Sequence, residues 1–172
     1  IDEKNFKDLP SLFSAKYSSY ILEIGFGGGE HLAHQAALHP DTGFIGAEPF
    51  INGVAALCRA VISSALKNVS IHPNNVFDLI AKMAPNSLQR IYILFPDPWP
   101  KKRHSARRLI SKASLQDFYR VLKPGGEIVI ATDHADYFEW ITGAILGQNQ
   151  LQWVNQAQPD IPPQQWVQTR YQ

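Results

Sequence analysis

One cysteine, Cys58, stands in 172 residues, so the chain can form no internal disulfide and no Cys-based zinc site. That economy fits a reducing compartment, and the reading is cytoplasmic. No apolar run approaches the ~18 to 20 residues that cross a bilayer, and the first thirty residues lack the basic start and apolar stretch of a leader peptide. No Gly-Lys-Ser/Thr run, no His-Glu-x-x-His and no nucleophile elbow occurs, which removes support for P-loop, zinc-protease and acyl-transfer chemistry. His31 and His34 share a helix face without a third ligand of matching spacing. They read as surface or capping histidines, and no metal is predicted.

Charge of one sign is also missing in bulk. Sixteen Lys+Arg face fifteen Asp+Glu, a formal net of +1, which excludes an acidic disordered segment or a polybasic tail. The balance is uneven, however. Lys101, Lys102, Arg103, Arg107 and Arg108 place five bases in eight residues with no acid, leaving eleven bases against fifteen acids elsewhere. Anion binding is therefore local.

The length suits one packed domain over 1–172, with 1–18 as a lead-in and 157–172 as a substrate-side tail. The chain opens at Ile1 without Met and stops in mid-segment at Gln172, so it reads as truncated at the tail. Apolar runs at 20–24, 43–47, 69–72, 91–95 and 128–132 predict strands, and 151–154 predicts an edge strand. Between them, helical spacing predicts helices at 30–38, 54–65, 77–83, after a Ser111 cap, and around 137–145. Cys58 falls on the apolar face of the second helix and reads as core, and packing is the default role of Tyr137 and Trp140. Lys123-Pro124-Gly125-Gly126 ends the fourth helix. Strands alternating with helices imply crossover units, hence a mainly parallel α/β sheet with helices on both faces.

In such a sheet the ligand lies beyond the carboxyl ends of the strands. Glu23, Glu48, Asn75, Asp97 and Asp133 each sit at or just past a predicted strand end. The glycine loop Gly25-Phe26-Gly27-Gly28-Gly29 follows the first strand, but a dinucleotide fingerprint begun at Gly25 needs glycine where Glu30 stands. An anion there opposes a pyrophosphate at the helix N-terminus. Gly25, Gly27 and Gly29 instead let backbone approach an uncharged or cationic ligand. Glu48, 25 residues after Glu23, is placed like a ribose-binding acid. Together these point to an adenosine cofactor without phosphates, S-adenosylmethionine.

Leu94-Phe95-Pro96-Asp97-Pro98-Trp99-Pro100 fixes one carboxylate and one indole between three prolines that lack N–H. A stiff Asp beside a flat ring suits a nucleobase pocket. The bases that follow suit phosphates: Lys102, Arg103, Arg107 and Arg108 are the candidate nucleic-acid backbone contacts.

Ile24-Gly25-Phe26-Gly27-Gly28-Gly29, Gly46-Ala47-Glu48, Phe95-Pro96-Asp97-Pro98-Trp99-Pro100-Lys101-Lys102-Arg103-His104 with Arg107-Arg108, Thr132-Asp133-His134-Ala135-Asp136-Tyr137, and Thr169-Arg170-Tyr171-Gln172 together resemble the bacterial tRNA (guanine-N7-)-methyltransferase family in order and spacing. The resemblance implies a Rossmann-like class I methyltransferase fold with a mainly parallel seven-stranded sheet. It implies methyl transfer from S-adenosylmethionine to N7 of a guanosine in the tRNA variable loop. By position it implies cofactor contacts at Glu23, Glu48, Asn75 and Asp97, catalysis at Asp97, and substrate contacts at Lys101, Asp133, Thr169, Arg170, Tyr171 and Gln172. This chain departs from the pattern at Asn75, where Asp is frequent, at Ala106, where a base is usual, and at Gln172, in place of Glu.

Two enzymatic alternatives and one non-enzymatic one stay open on the residues alone. Asp97-Pro98-Trp99 is similar to the Asp/Asn-Pro-Pro-aromatic motif of exocyclic-amine methylases, though with one proline instead of two. A dehydrogenase is disfavoured by Glu30, and an RNA-binding protein that retains only the fold is disfavoured by the intact glycine loop with Glu48. Either a monomer or a homodimer fits the sequence.

Overall fold

The computed structural model describes residues 8–154. Five strands form one sheet: β1 (Ser19–Ile24), β2 (Thr42–Ala47), β3 (Val69–His72), β4 (Leu88–Leu94) and β5 (Leu122–Ala131). Five helices connect or follow them: α1 (Glu30–Leu38), α2 (Ile51–Ser63), α3 (Val76–Ile80), α4 (Lys112–Val121) and α5 (Ala135–Leu146). Short 3-10 helices occupy Leu9–Leu12 and Lys102–Arg107. Every strand pair is parallel and the order is β3-β2-β1-β4-β5.

The inner strands read as near-continuous apolar runs because both faces are covered. Leu22, Ile24, Ile45, Ile91 and Ile93 meet α3, α4 and α5 through Leu79, Phe118, Tyr137 and Ile141. On the opposite face Phe44 meets α1 and α2 through Leu32, Ala36 and Leu57. Leu22, Ile45, Ile91 and Ile93 are fully buried, and each contributes about 1.5–3 kcal/mol by leaving water. Ser111 caps α4 as the sequence predicts, accepting from Ser114 N at 3.1 Å in a reciprocal capping box.

Four expectations change. The described residues hold five strands where the resemblance implies seven. Residues 151–154 form no strand: Leu151 packs on the core and Trp153 meets Phe138 edge-on, so apolar side chains there find packing partners instead of a ladder. Cys58 is exposed. Helix α2 buries only Leu57 fully, with Val54 and Val61 packed alongside, because it lies on a narrow stripe against α1; the wider apolar pattern, including Ile62 at 78% exposure, faces outward. Finally, Lys123-Pro124-Gly125-Gly126 falls inside β5: α4 already stops at Val121, and the four residues bulge out where the β4 register shifts between Leu88 and Arg90. Gly125, at φ 74°, makes that bulge.

Candidate active site

The strand order places a reversal between β1 and β4: the chain runs outward from β1 through β2 to β3, then returns to the other side of β1. Such a switch point leaves a crevice at the carboxyl ends of the two strands. Register aligns those ends, with Ile24 opposite Ala47 and Ile93, Ala47 opposite His72, and Leu94 opposite Ala131. Glu23, Glu48, Asn75, Asp97 and Asp133 are thereby brought to one edge of the sheet.

On the β1–β2 side the glycine loop is built around Glu48. Glu48 is buried and its two carboxylate oxygens accept from Gly27 N at 3.0 Å and Phe50 N at 2.9 Å. Gly29, at φ 80°, is the N-cap of α1, a conformation that excludes most side chains. Gly53 in the first turn of α2 lies so close that a Cβ there would collide with the carbonyl oxygen of Gly27. A Cβ at Gly25, by contrast, would meet nothing within 4 Å, so the loop presents bare backbone to open space.

Glu23 is buried at the end of β1 and pairs with His31 Nδ1 at 2.7 Å. Burial pushes its carboxyl above the ordinary carboxylate range, and the His31 contact only partly opposes this. The sequence reading of His31 as a surface or capping residue is therefore corrected. The first turn of α1 brings its ring to the strand end, where it packs T-shaped on the Tyr92 ring with the ring centres 4.7 Å apart. The signal was present in the spacing: eight residues from a strand end, across a glycine turn, is the reach from strand to helix start. Asn75 is exposed and caps α3, accepting from Phe77 N at 3.0 Å.

On the β4–β5 side, Asp97 is exposed on a loop whose prolines are flanked by two left-handed residues, Phe95 at φ 51° and Trp99 at φ 42°. Each such bulky residue costs about 1–3 kcal/mol and persists only where the surroundings enforce it, a feature concentrated at functional sites. The loop is anchored to the sheet by Phe95 N donating to Ala131 O at 2.8 Å. Asp133 is exposed beyond β5, where the following turn is closed by His134 N donating to Thr132 Oγ1 at 3.2 Å. Lys101, Lys102, Arg103 and Arg107 are exposed on and beside the 3-10 helix Lys102–Arg107. Arg107 lies over the Trp99 ring at 5.0 Å, and His104 meets that ring edge-on, so the indole is already partly stacked by its own chain. Arg108 points inward: Nε donates to Pro98 O at 2.9 Å, and its guanidinium lies over Tyr137 and Trp140. Trp140, read as a packing residue, also donates from Nε1 to Ile110 O at 2.7 Å. Thr169, Arg170, Tyr171 and Gln172 lie outside the described residues.

Among the described residues there is no group of three or more His, Cys, Asp or Glu side chains that could hold a metal ion, and no helix long and apolar enough to cross a membrane. The arrangement pairs a bare-backbone crevice backed by a buried carboxylate with an exposed carboxylate on a stiff loop, bordered by a basic rim.

A family profile described as "Putative methyltransferase" matches residues 18–172. A tRNA (guanine-N(7)-)-methyltransferase of Caulobacter sp. (strain K31) is 47% identical over 152 residues, 88% of this chain and 67% of the relative. One from Agrobacterium fabrum (strain C58 / ATCC 33970) is 41% identical over 168 residues, 96% of this chain and 72% of the relative. Among solved structures, the aminoglycoside resistance methyltransferase NpmB1 shares the fold with a TM-score of 0.57 at 18% identity, covering 80% of this chain and 77% of that one. With identity this high over most of its length, the chain belongs to the tRNA (guanine-N(7)-)-methyltransferase family.

Proposed function

We propose that this protein transfers a methyl group from S-adenosylmethionine to N7 of a guanine in the tRNA variable loop, with Asp97 acting on the base. The observation that carries the reading is Asp97 itself. It is an exposed carboxylate on a proline-locked loop bordered by left-handed Phe95 and Trp99, across the sheet's switch point from Glu48.

The cofactor side fits the chemistry of its donor set. Each Glu48 oxygen spends one lone pair on a backbone N–H, which leaves acceptor capacity on both for the paired hydroxyls of a ribose. Gly25 opens bare backbone to the crevice, and Glu23 supplies buried negative character suited to an ammonium group. Glu23, Gly25, Gly27, Gly29, Glu48 and Asn75 are assigned to cofactor binding. When bound, S-adenosylmethionine supplies an electrophilic sulfonium methyl.

Guanine N7 carries an in-plane lone pair and no proton, so in-line displacement requires no general base. What the protein must do is orient the two reactants, which can be worth about 7–11 kcal/mol. Methylation leaves the purine cationic. Asp97 accepts hydrogen bonds from the guanine edge and stabilises the positive charge that develops there. Lys102, Arg103 and Arg107 neutralise tRNA phosphates, while Lys101, Asp133 and the segment Thr169-Arg170-Tyr171-Gln172 contact the substrate.

Asp97→Asn keeps the shape and removes the charge. Single-turnover methyl transfer should fall on the order of 10²-fold while S-adenosylmethionine affinity changes little. An unchanged rate would remove Asp97 from the mechanism.

A further inference from the structure

The three prolines of the loop that carries Asp97 contribute no N–H, so the loop has few donors with which to hold itself in place. Phe95 N ties its start to Ala131 O, and the stretch after Asp97 is held from outside. Arg108 Nε donates to Pro98 O at 2.9 Å and Nη2 to Trp99 O at 3.4 Å, so one edge of the guanidinium grips two successive carbonyls immediately after Asp97. The same group lies 4.7 Å from the centre of the Trp140 ring and 5.3 Å from that of Tyr137. Those two rings are themselves tied to the segment after Arg108. Trp140 Nε1 donates to Ile110 O at 2.7 Å, and the Tyr137 hydroxyl accepts from Ile110 N at 3.3 Å. Tyr137 is fully buried in α5, so the assembly is rooted in the core.

We infer that Arg108 is a positioning residue for methyl transfer: its planar fork, held against Tyr137 and Trp140, sets the Pro98 and Trp99 carbonyls and thereby the direction of the Asp97 carboxylate. A left-handed tryptophan persists only where its surroundings over-determine it, and Arg108 is the donor that reaches the carbonyl of that residue. Sequence pattern alone assigns Arg108 to the tRNA backbone together with Arg107. The structure separates the two, with Arg107 exposed and Arg108 turned inward. The inference rests on the proposed reaction.

Lysine retains the charge and a long stem but has no planar fork, so R108K separates positioning from simple electrostatics. In steady-state assays with unmodified tRNA, R108K and R108Q should both lower kcat by about 10- to 100-fold. KM for tRNA and the salt dependence of tRNA binding should stay near wild type. K102Q provides the contrast, with weaker tRNA binding and a log–log salt slope shallower by about one. Recovery of kcat in R108K would overturn the inference, as would a shallower salt slope with kcat intact in R108Q, either of which makes Arg108 a phosphate contact. Should R108Q also lose S-adenosylmethionine binding, R108K decides alone. A different methylated base from the wild-type protein would refute the base assignment separately, since the R108K comparison can be read on that product too.

Discussion

Glu23 is where burial and chemistry pull hardest against each other. Its carboxyl is held above the ordinary value of 4.5 by desolvation, with His31 opposing. Between pH 4.5 and that raised native value the folded protein keeps a proton that the unfolded chain has released, and above it Glu23 is ionised in both states. Stability falls as pH rises from 4.5 through the raised native value, and above that the penalty is constant. Glu23→Gln removes the penalty. Denaturant midpoints of the cofactor-free protein should be higher for the variant at pH 8, the gap should narrow toward pH 4, and S-adenosylmethionine affinity should drop by about tenfold or more. A variant less stable than wild type at pH 8 would contradict this. At this scale the sequence was legible where a residue's chemistry is local. Gly27, Gly29 and the Pro-Asp-Pro-Trp run read correctly as turn and stiff loop. His31 and Cys58 did not, because their environments are decided by contacts with another element.

Helix α2 approaches the glycine loop only because Gly53 lacks a side chain. Gly53→Ala would gain at most about 1 kcal/mol in helix propensity, against about 1–3 kcal/mol for pressing a methyl into backbone that has nowhere to move. The net should be loss of stability together with weaker S-adenosylmethionine binding. Gly143 in α5 is the opposite case: a Cβ there meets nothing within 4 Å, and Gly143→Ala should add about 0.5–1 kcal/mol. Thermal melts of both variants check the pair; a stabilised G53A would show that the close approach is dispensable. Element types followed from apolar period and caps, with α1 and β3 matching their predicted bounds. Errors fell where period says nothing about a partner. Residues 151–154 have a strand-like composition but no ladder in the described residues, and the Gly125 bulge depends on register with β4.

For the whole molecule, alternation of strands and helices implied a parallel sheet, whereas the order β3-β2-β1-β4-β5 is visible only in three dimensions. That order turns five scattered polar residues into one edge and puts Glu23 and Asp97 on either side of the reversal. The charge distribution completes the arrangement. The basic stretch at 101–108 borders Asp97 while the remainder of the chain is net acidic, so a polyanion is drawn to the side where the base must enter. The most direct test is to incubate the protein with unmodified tRNA and methyl-labelled S-adenosylmethionine, digest the RNA to nucleosides and identify the labelled base by mass. The expected product is 7-methylguanosine. Label on an exocyclic amine would contradict the role given to Asp97 while preserving the fold and cofactor, and the absence of label with S-adenosylmethionine bound would contradict the proposed activity of this chain.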